Sequence, residues 1–288
     1  MSNVNNRQLD SFTLEARDMT PADIPALHEL SVAVGWMHRA EDWAVTLELG
    51  EGIFLTDEIG RPVGSAMWFP MSDELAMLGM VITTPRLQER GAGRWMMEQI
   101  LSRTGGRDLA LNATRAAFRL YLALDFQPGP KVWQHMGIVS AVPEDSGRTR
   151  QMRAEDRAAI HALDSRAYGT DRHNALELFL DQSVGTVLEE DGQITGYALC
   201  RRFGRGHVVG PIIAATPQDA AALAAPHIAA HHGQFLRIDT RDTDGPFFQM
   251  LTAHGLAPRD SVTSMTRGRA RGGDLQAHVF ALANQAVG

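Results

Sequence analysis

The feature that most constrains the fold of this chain is that it says the same thing twice. Arg17, Ile24, Ala26 and Leu27 return without a gap as Arg153, Ile160, Ala162 and Leu163, each set on a segment with the spacing of an amphipathic helix. A turn between two apolar β-prone runs, EIGRPVGSA around Gly60 and Gly64, returns as EDGQITGYA around Gly192 and Gly196. The glycine-led strand Gly79 to Thr83 returns as Gly210 to Ala214, and Leu109 to Leu111 as Leu236 to Ile238. Phe118, Asp125 and Pro128 line up with Phe248, Gly255 and Pro258. Landmarks in the same order and spacing mean one supersecondary plan built twice. Each copy reads as a strand, one or two helices, a hairpin, a longer central strand, a helix, a strand, a helix and one or two closing strands. That is an α/β unit with a mixed sheet.

The copies divide the chain into a unit over 1–139, a seam over 140–150 and a second unit over 151–288. In the seam, SAVPEDSGRTR, proline, glycine and charge replace apolar periodicity. A disordered linker is the simpler reading of it and a strand crossing between the units the other. An arginine- and glycine-rich stretch from Arg267 to Asp274 leads into an apolar, helix-like run from Leu275 to Val287.

Composition limits the partners. The net charge of -7 argues against broad attraction to nucleic acid or anionic lipid. Cys200 is the only cysteine, so the chain has no internal disulfide and suits a reducing compartment. The start MSNVNNRQLD lacks an apolar secretion core, and no run approaches the ~20 apolar residues of a membrane helix. A soluble, cytoplasmic protein with no membrane partner is expected; the sequence leaves its oligomeric state open.

The chemistry concentrates in GMVITTPRLQERGAGRWMMEQIL, residues 79–101, where a β-like run ends in a glycine-bearing turn that opens an amphipathic helix. Gly91 and Gly93 leave the backbone bare enough for an anion to touch its N–H groups. The first helical turn adds unpaired donors and the positive end of the helix dipole. Arg90 and Arg94 supply counter-charge. As charges at a helix start, Glu89, Arg90 and Arg94 could simply be solvated. Two glycines there cost roughly 1 kcal/mol each against alanine in a helix interior, and a phosphate site is a reason to bear that cost.

With these residues the chain resembles the GNAT superfamily of N-acetyltransferases, and in its doubled layout the tandem members. One motif is the Q/R-x-x-G-x-G/A loop, here Gln88, Gly91 and Gly93, with Pro85 three positions before the glutamine. The other is the A-T…L-Y-x-x-x-G-F run, here Ala113, Thr114, Leu120, Tyr121 and Phe126, with Asp125 where glycine is usual. The resemblance covers Phe12 to Val139 directly and the second half by repetition. It implies two tandem GNAT-like domains and acetyl-CoA as co-substrate. The pyrophosphate would lie on the amides of Glu89, Arg90, Gly91, Ala92, Gly93 and Arg94, and the pantetheine arm against Val81, Ile82 and Thr83. Thr114 would contact the cofactor, and Tyr121 would protonate the leaving thiolate. On its own segment, FRLYLALDF, Tyr121 reads equally as a core aromatic.

The resemblance also implies that VGWMHRAEDWAVTLELG covers the acceptor site, with Trp36, His38 and Asp42 as substrate contacts. Trp43 divides evenly between binding and packing. Aromatic rings beside a carboxylate suit an amine, so a small-molecule primary amine is the expected acceptor. No general base can be named: Asp73, Glu74, His38, His135 and a water relay all remain open. In the second copy the phosphate loop becomes TPQDAAALAA and the tyrosine becomes Leu251, so only the first copy is expected to bind acyl-CoA. Asp239, Asp242 and Asp244 could meet a cationic acceptor, or be a solvated loop.

No metal site is expected. His227 and His231 have i, i+4 spacing, but Ile228 stands where a zinc protease has glutamate, and the pair reads as a solvated face. No nucleophile elbow or P-loop is present, and the glycine turn does not follow an opening βαβ unit as a dinucleotide fold requires. The expected activity is acetyl transfer to an amine by direct attack in a ternary complex. The alternative is a non-catalytic acyl-CoA sensor.

Overall fold

The protein is described here by a computed structural model covering residues 5–9, 12–88, 91–269, 274 and 276–288. The first half runs β1 (Asn5–Leu9), β2 (Phe12–Asp18), α1 (Ile24–Ala33), α2 (Ala40–Leu49), β3 (Glu51–Asp57), β4 (Pro62–Pro70), β5 (Leu75–Thr83), α3 (Ala92–Leu101), β6 (Asp108–Ala113), α4 (Phe118–Leu122) and β7 (Gln127–Ile138). The second runs β8 (Thr149–Gln151), α5 (Arg157–Tyr168), α6 (His173–Gln182), β9 (Val184–Glu190), β10 (Gln193–Phe203), β11 (Gly206–Ala214), α7 (Pro217–Ala230), β12 (Phe235–Thr240), α8 (Gly245–Ala253), β13 (Ala257–Arg267) and β14 (His278–Ala281). Among the described residues no helix is long and apolar enough to cross a membrane.

All strands join one 14-stranded sheet in the order β1-β2-β3-β4-β5-β6-β13-β7-β12-β14-β11-β10-β9-β8. This order reveals an exchange. The last long strand of the second half, β13, pairs with β6 of the first through Thr263↔Ala113 to Arg267↔Leu109. The last strand of the first half, β7, pairs with β12 of the second through Phe235↔Ile138 to Thr240↔Trp133. β7 and β13 then pair with each other at the centre. Residues 140–148 between the halves are irregular, as the loss of apolar periodicity suggests, but they do not divide the sheet.

The middle strands are buried on both faces, and β4 shows how. Along VGSAMWF, Met67 and Phe69 enter one core while Ala66 and Trp68 enter another, the alternation a pleated strand imposes. The first core is common to both halves and gathers Leu27 and Trp43 with Leu163, Phe179 and Tyr197. The second lies under α3 and holds Trp95, Met96 and Ile100. A third lies under α7 and α8 with Leu223, Ile228 and Phe247.

The repeat is physically real, but its register in the first helix differs from the apolar match. Thr20 and Asp23 form a capping box before α1, and Arg17 grips Asp23 with both terminal nitrogens. The same device before α5 uses the backbone of Arg153, the carboxylate of Asp156 and the guanidinium of Arg150. Arg150, not Arg153, is therefore the counterpart of Arg17. A shift of three residues is nearly one helical turn, so an apolar match survives it, whereas a cap does not. The run ending at Val287 is also not a helix. Its residues 278–281 form β14 between β11 and β12, whose facing edges would otherwise leave backbone donors and acceptors unpaired. Leu275 lies outside the described residues.

Candidate active site

The groove begins where β5 leaves β6. The two strands pair in parallel only from Leu75↔Asp108 to Leu78↔Leu111, while β5 stays bonded to β4 as far as Thr83↔Gly64. Met80 is the cause. Its φ of 53° is left-handed and marks an irregularity in the β4–β5 register, and its carbonyl accepts a 2.7 Å bond from the buried Ser65 hydroxyl. A residue in this conformation bends its strand. The backbone of Gly79 to Thr83 is thereby left with an unpaired edge facing the gap. Val81 lines the gap, whereas the Ile82 side chain is buried in the shared core, so Ile82 contributes backbone alone.

At the far end of β5 stands the N-terminus of α3. Gly91 caps it at φ 89° and ψ −3°, a left-handed geometry that suits glycine. Ala92 is buried beneath the turn. At Gly93 an added Cβ would find Thr83 Oγ1 at 3.4 Å and Leu120 at 3.5 Å, so the backbone there is bare without being crowded. Arg94 is exposed and shares its charge with Glu98 at 2.9 Å. Glu89 and Arg90 lie outside the described residues.

A cavity of about 210 Å³ opens from this gap. Trp36, His38, Val81, Thr114 and Tyr121 all line it, so five of the residues singled out in sequence converge. Tyr121, on α4, is 5% exposed, and burial raises its hydroxyl well above the usual phenol range. The hydroxyl therefore stays protonated at any physiological pH. The His38 ring packs on Trp36 at 5.5 Å and edge-on to Phe203 at 5.3 Å. Burial first, and the nearby Arg237 charge second, push its pKa down to about 4, so its imidazole is neutral near pH 7. Its Nδ1 is buried with no hydrogen-bond partner among the described residues.

Asp42 goes elsewhere. Its carboxylate accepts from the Arg39 backbone at 2.8 Å, the Arg39 guanidinium at 2.7 Å and the Gly204 amide at 2.9 Å. It caps α2 and joins the halves, and it does not line the cavity. Trp43 is fully buried with Nε1 on the Ser31 hydroxyl, a packing residue. His135 is fully buried in the β7–β13 seam with Nδ1 on the Leu256 carbonyl, and Asp73 and Glu74 sit at the β4–β5 turn; none lines the cavity. Asp239 is not a solvated acid but a fully buried partner of Arg237, at 2.6 and 2.9 Å. His227 is not on a solvated face either: it is 4% exposed and bonds the Thr186 hydroxyl at 2.9 Å.

Half of the wall was invisible in the sequence. β7 contributes Gln134 and Met136, β13 contributes Asp260 and Val262, and Phe203 and Arg237 come from β10 and β12. Asn112, Gln285 and Ala286 complete it. Asp260 is its only carboxylate among the described residues, and it stands opposite Gln134 in the β7–β13 ladder. No local pattern marks these residues: strand pairing between the halves and the turn after β14 bring most of them in.

In the second half the corresponding places are filled by the chain itself. Asp219 sits in the first turn of α7, where its carboxylate accepts from Thr216 at 2.6 Å and Arg148 at 2.6 Å. Leu251 is buried where the first half has Tyr121.

Comparison with known proteins agrees with this architecture. Residues 160–281 match the sequence model of the acetyltransferase (GNAT) domain. That match falls on the half that lacks the glycine turn. The uncharacterized N-acetyltransferase YitH of Bacillus subtilis (strain 168) is 24% identical over 270 residues, covering 92% of this chain and 95% of YitH. A candidate acetyltransferase from Pyrococcus horikoshii superposes with a TM-score of 0.81 at 17% identity, covering 96% of both chains. A tandem GNAT protein from the clavulanic acid biosynthesis pathway superposes with a TM-score of 0.63 at 15% identity, covering 91% of this chain and 99% of its own. Residues 160–281 thus match a GNAT acetyltransferase domain, and the chain as a whole is similar to an N-acetyltransferase and shares the fold of a tandem GNAT protein.

Proposed function

We propose that the first half transfers an acetyl group from acetyl-CoA to the primary amine of a small molecule, by direct attack in a ternary complex. The observation that carries this reading is the splay of β5 from β6 after Leu78, with Tyr121 and Thr114 beside the gap and the helix N-terminus at Gly91 beyond it. The residues fit the co-substrate in kind. Backbone amides from Gly91 to Arg94 suit a diphosphate, and Glu89 and Arg90, next to them in sequence, are the remaining residues of the proposed site. The free edge of Val81, Ile82 and Thr83 suits a peptide-like pantetheine arm.

The thioester supplies an activated acyl carbon, and the protein governs the protons around it. Asp260 attracts the ammonium form of the acceptor, and Trp36 with neutral His38 receives its apolar body. The ammonium gives one proton to water before attack. The amine nitrogen then bonds the acyl carbon, the carbon–sulfur bond breaks, and the Tyr121 hydroxyl gives its proton to the departing sulfur. The second nitrogen proton returns to solvent, from which Tyr121 is reprotonated. The products are an amide and free CoA. A cavity of about 210 Å³ favours a small acceptor over a folded protein.

The test is release of free thiol from acetyl-CoA across polyamines, amino acids, aminoglycosides and peptide amino termini. Tyr121→Phe should leave CoA affinity within about twofold and lower kcat by roughly 100-fold or more, the range of a lost general acid. If no amine releases thiol above background while CoA binds, the catalytic reading fails.

A further inference from the structure

The segment that follows β13 does two jobs that the duplicated plan does not require. Its strand β14 lies antiparallel to β11 through Ile212↔Ala281, Ile213↔Val279 and Ala214↔His278, and touches β12 at Thr240↔Ala281. Ile212 to Ala214 are the repeat counterparts of Val81 to Thr83. A strand of the chain itself thus satisfies, in the second half, the edge that stands open in the first.

The same segment then crosses to the first site. A Cβ on Gly210 would collide with the Leu282 carbonyl, and a Cβ on its counterpart Gly79 would meet Ala286 at 3.0 Å. The turn is tightly held. Asn284 Oδ1 accepts from the Ala286 and Val287 amides at 2.8 and 3.1 Å, and Asn112 Nδ2 donates to the Gln285 carbonyl at 2.9 Å. Side-chain Nε2 of Gln285, a residue lining the cavity, is buried with no partner among the described residues. A buried N–H donor left unpaired is costly unless a ligand completes it.

We propose that residues 278–287 are a resident substitute for the pantetheine arm in the second groove, and that their turn sets the acyl end of the first. There Gln285 donates to the acyl carbonyl and Ala286 limits acyl length. The placement rests on the reading of the first groove as the acyl-CoA site. Running from the phosphate turn down β5, the arm passes Thr83 and Val81, and its thioester end arrives at Gly79, where Gln285 and Ala286 stand.

The experiment uses the full chain. Calorimetric titration with CoA should give one site per chain, and two equal sites would overturn the substitution. Ala286→Gly should raise the kcat/KM ratio of butyryl-CoA to acetyl-CoA about tenfold, the discrimination a methylene or two can carry. Gln285→Met, nearly isosteric, should lower acetyl turnover about 100-fold, as loss of one donor to a developing oxyanion does. Both variants should keep the wild-type CoA affinity and unfolding midpoint, which shows that the fold is intact. If CoA binds once but neither variant changes acyl preference or turnover, the role of the turn is refuted while the acyl-CoA reading stands. If wild type binds no CoA, that reading fails first and this one with it.

Discussion

Replacing Gly93 by alanine should move stability and cofactor affinity in opposite directions. Gly93 is the second residue of α3, its φ is not left-handed, and an added Cβ would meet only Thr83 Oγ1 at 3.4 Å and Leu120 at 3.5 Å. Those are ordinary van der Waals distances, so the methyl fits without strain. Alanine is favoured over glycine by about 1 kcal/mol in a helix interior, and part of that should appear here, about 0.5 kcal/mol. Helical Cβ atoms tilt toward the N-terminus, so this methyl would stand beside Thr83 where a diphosphate must approach the amides. Loss of one charge-assisted hydrogen bond costs about 1.5–3 kcal/mol, or roughly 10- to 100-fold in Kd for CoA. The assay pairs a urea unfolding midpoint with calorimetric titration of CoA. Gly91→Ala is the contrast: at φ 89° it should cost about 1–2 kcal/mol of stability through backbone strain alone. A Gly93→Ala protein that is as stable as wild type or more so, yet binds CoA equally well, would refute the phosphate cradle.

Asp125 adopts φ 65°, and its counterpart Gly255 adopts φ 90°, so Asp125→Gly should stabilise the protein by about 0.5–1 kcal/mol; a lower urea midpoint would contradict this. Burial pushes the His227 pKa from 6.5 down to about 4, so between those values the unfolded chain binds a proton that the native site refuses. Stability should therefore fall as pH drops through that window, by at most about 3 kcal/mol from this residue, and His227→Gln should flatten the slope of unfolding free energy against pH. Residues 1–139 expressed alone should lack cooperative unfolding and turnover, because β6 and β7 lose β13 and β12; a monomeric fragment with full activity would show the halves to be separable.

What the sequence disclosed was local. The glycine turn, the bend at the head of the following helix and the A-T…L-Y run each lie within one contiguous segment, and the structure brings Val81, Thr114 and Tyr121 to one cavity. Even the departure at Asp125 was informative, since a position where glycine is usual turns out to be left-handed. The failures have physical causes. Asp42 was read as an amine contact, although R-x-x-D at a helix start is also the pattern of a cap, and the cap won. The alanine-rich run to Val287 has helical propensity, but two open strand edges outweighed it in β14. His227 looked solvated because two histidines on one helix face carry no sign of which way that face points. The wall residues Gln134, Arg237 and Asp260 were beyond reach, because pairing between strands so far apart in sequence leaves no local mark, and Gln285 arrives on the turn after β14.

The exchange also ties the second half, which lacks the glycine turn, to the first cavity. β13 carries Asp260 and Val262 among the strands of the first half, β12 holds Arg237 against the cavity, and the Gly204 amide anchors the Asp42 carboxylate that caps α2. The helix bearing His38 at its threshold is thus fixed by the second half, and Met37 packs on Gly204 closely enough that a Cβ there would lie 3.0 Å from its carbonyl. Loss of glycines at the start of α7 disturbs none of these contacts, since Thr216 and Asp219 already satisfy that terminus. Changes to β13, to the β10–β11 turn at Gly204 or to the segment at Gln285 would reach the first cavity directly. The second half is thus tied to the first cavity through its strands and not through the start of α7.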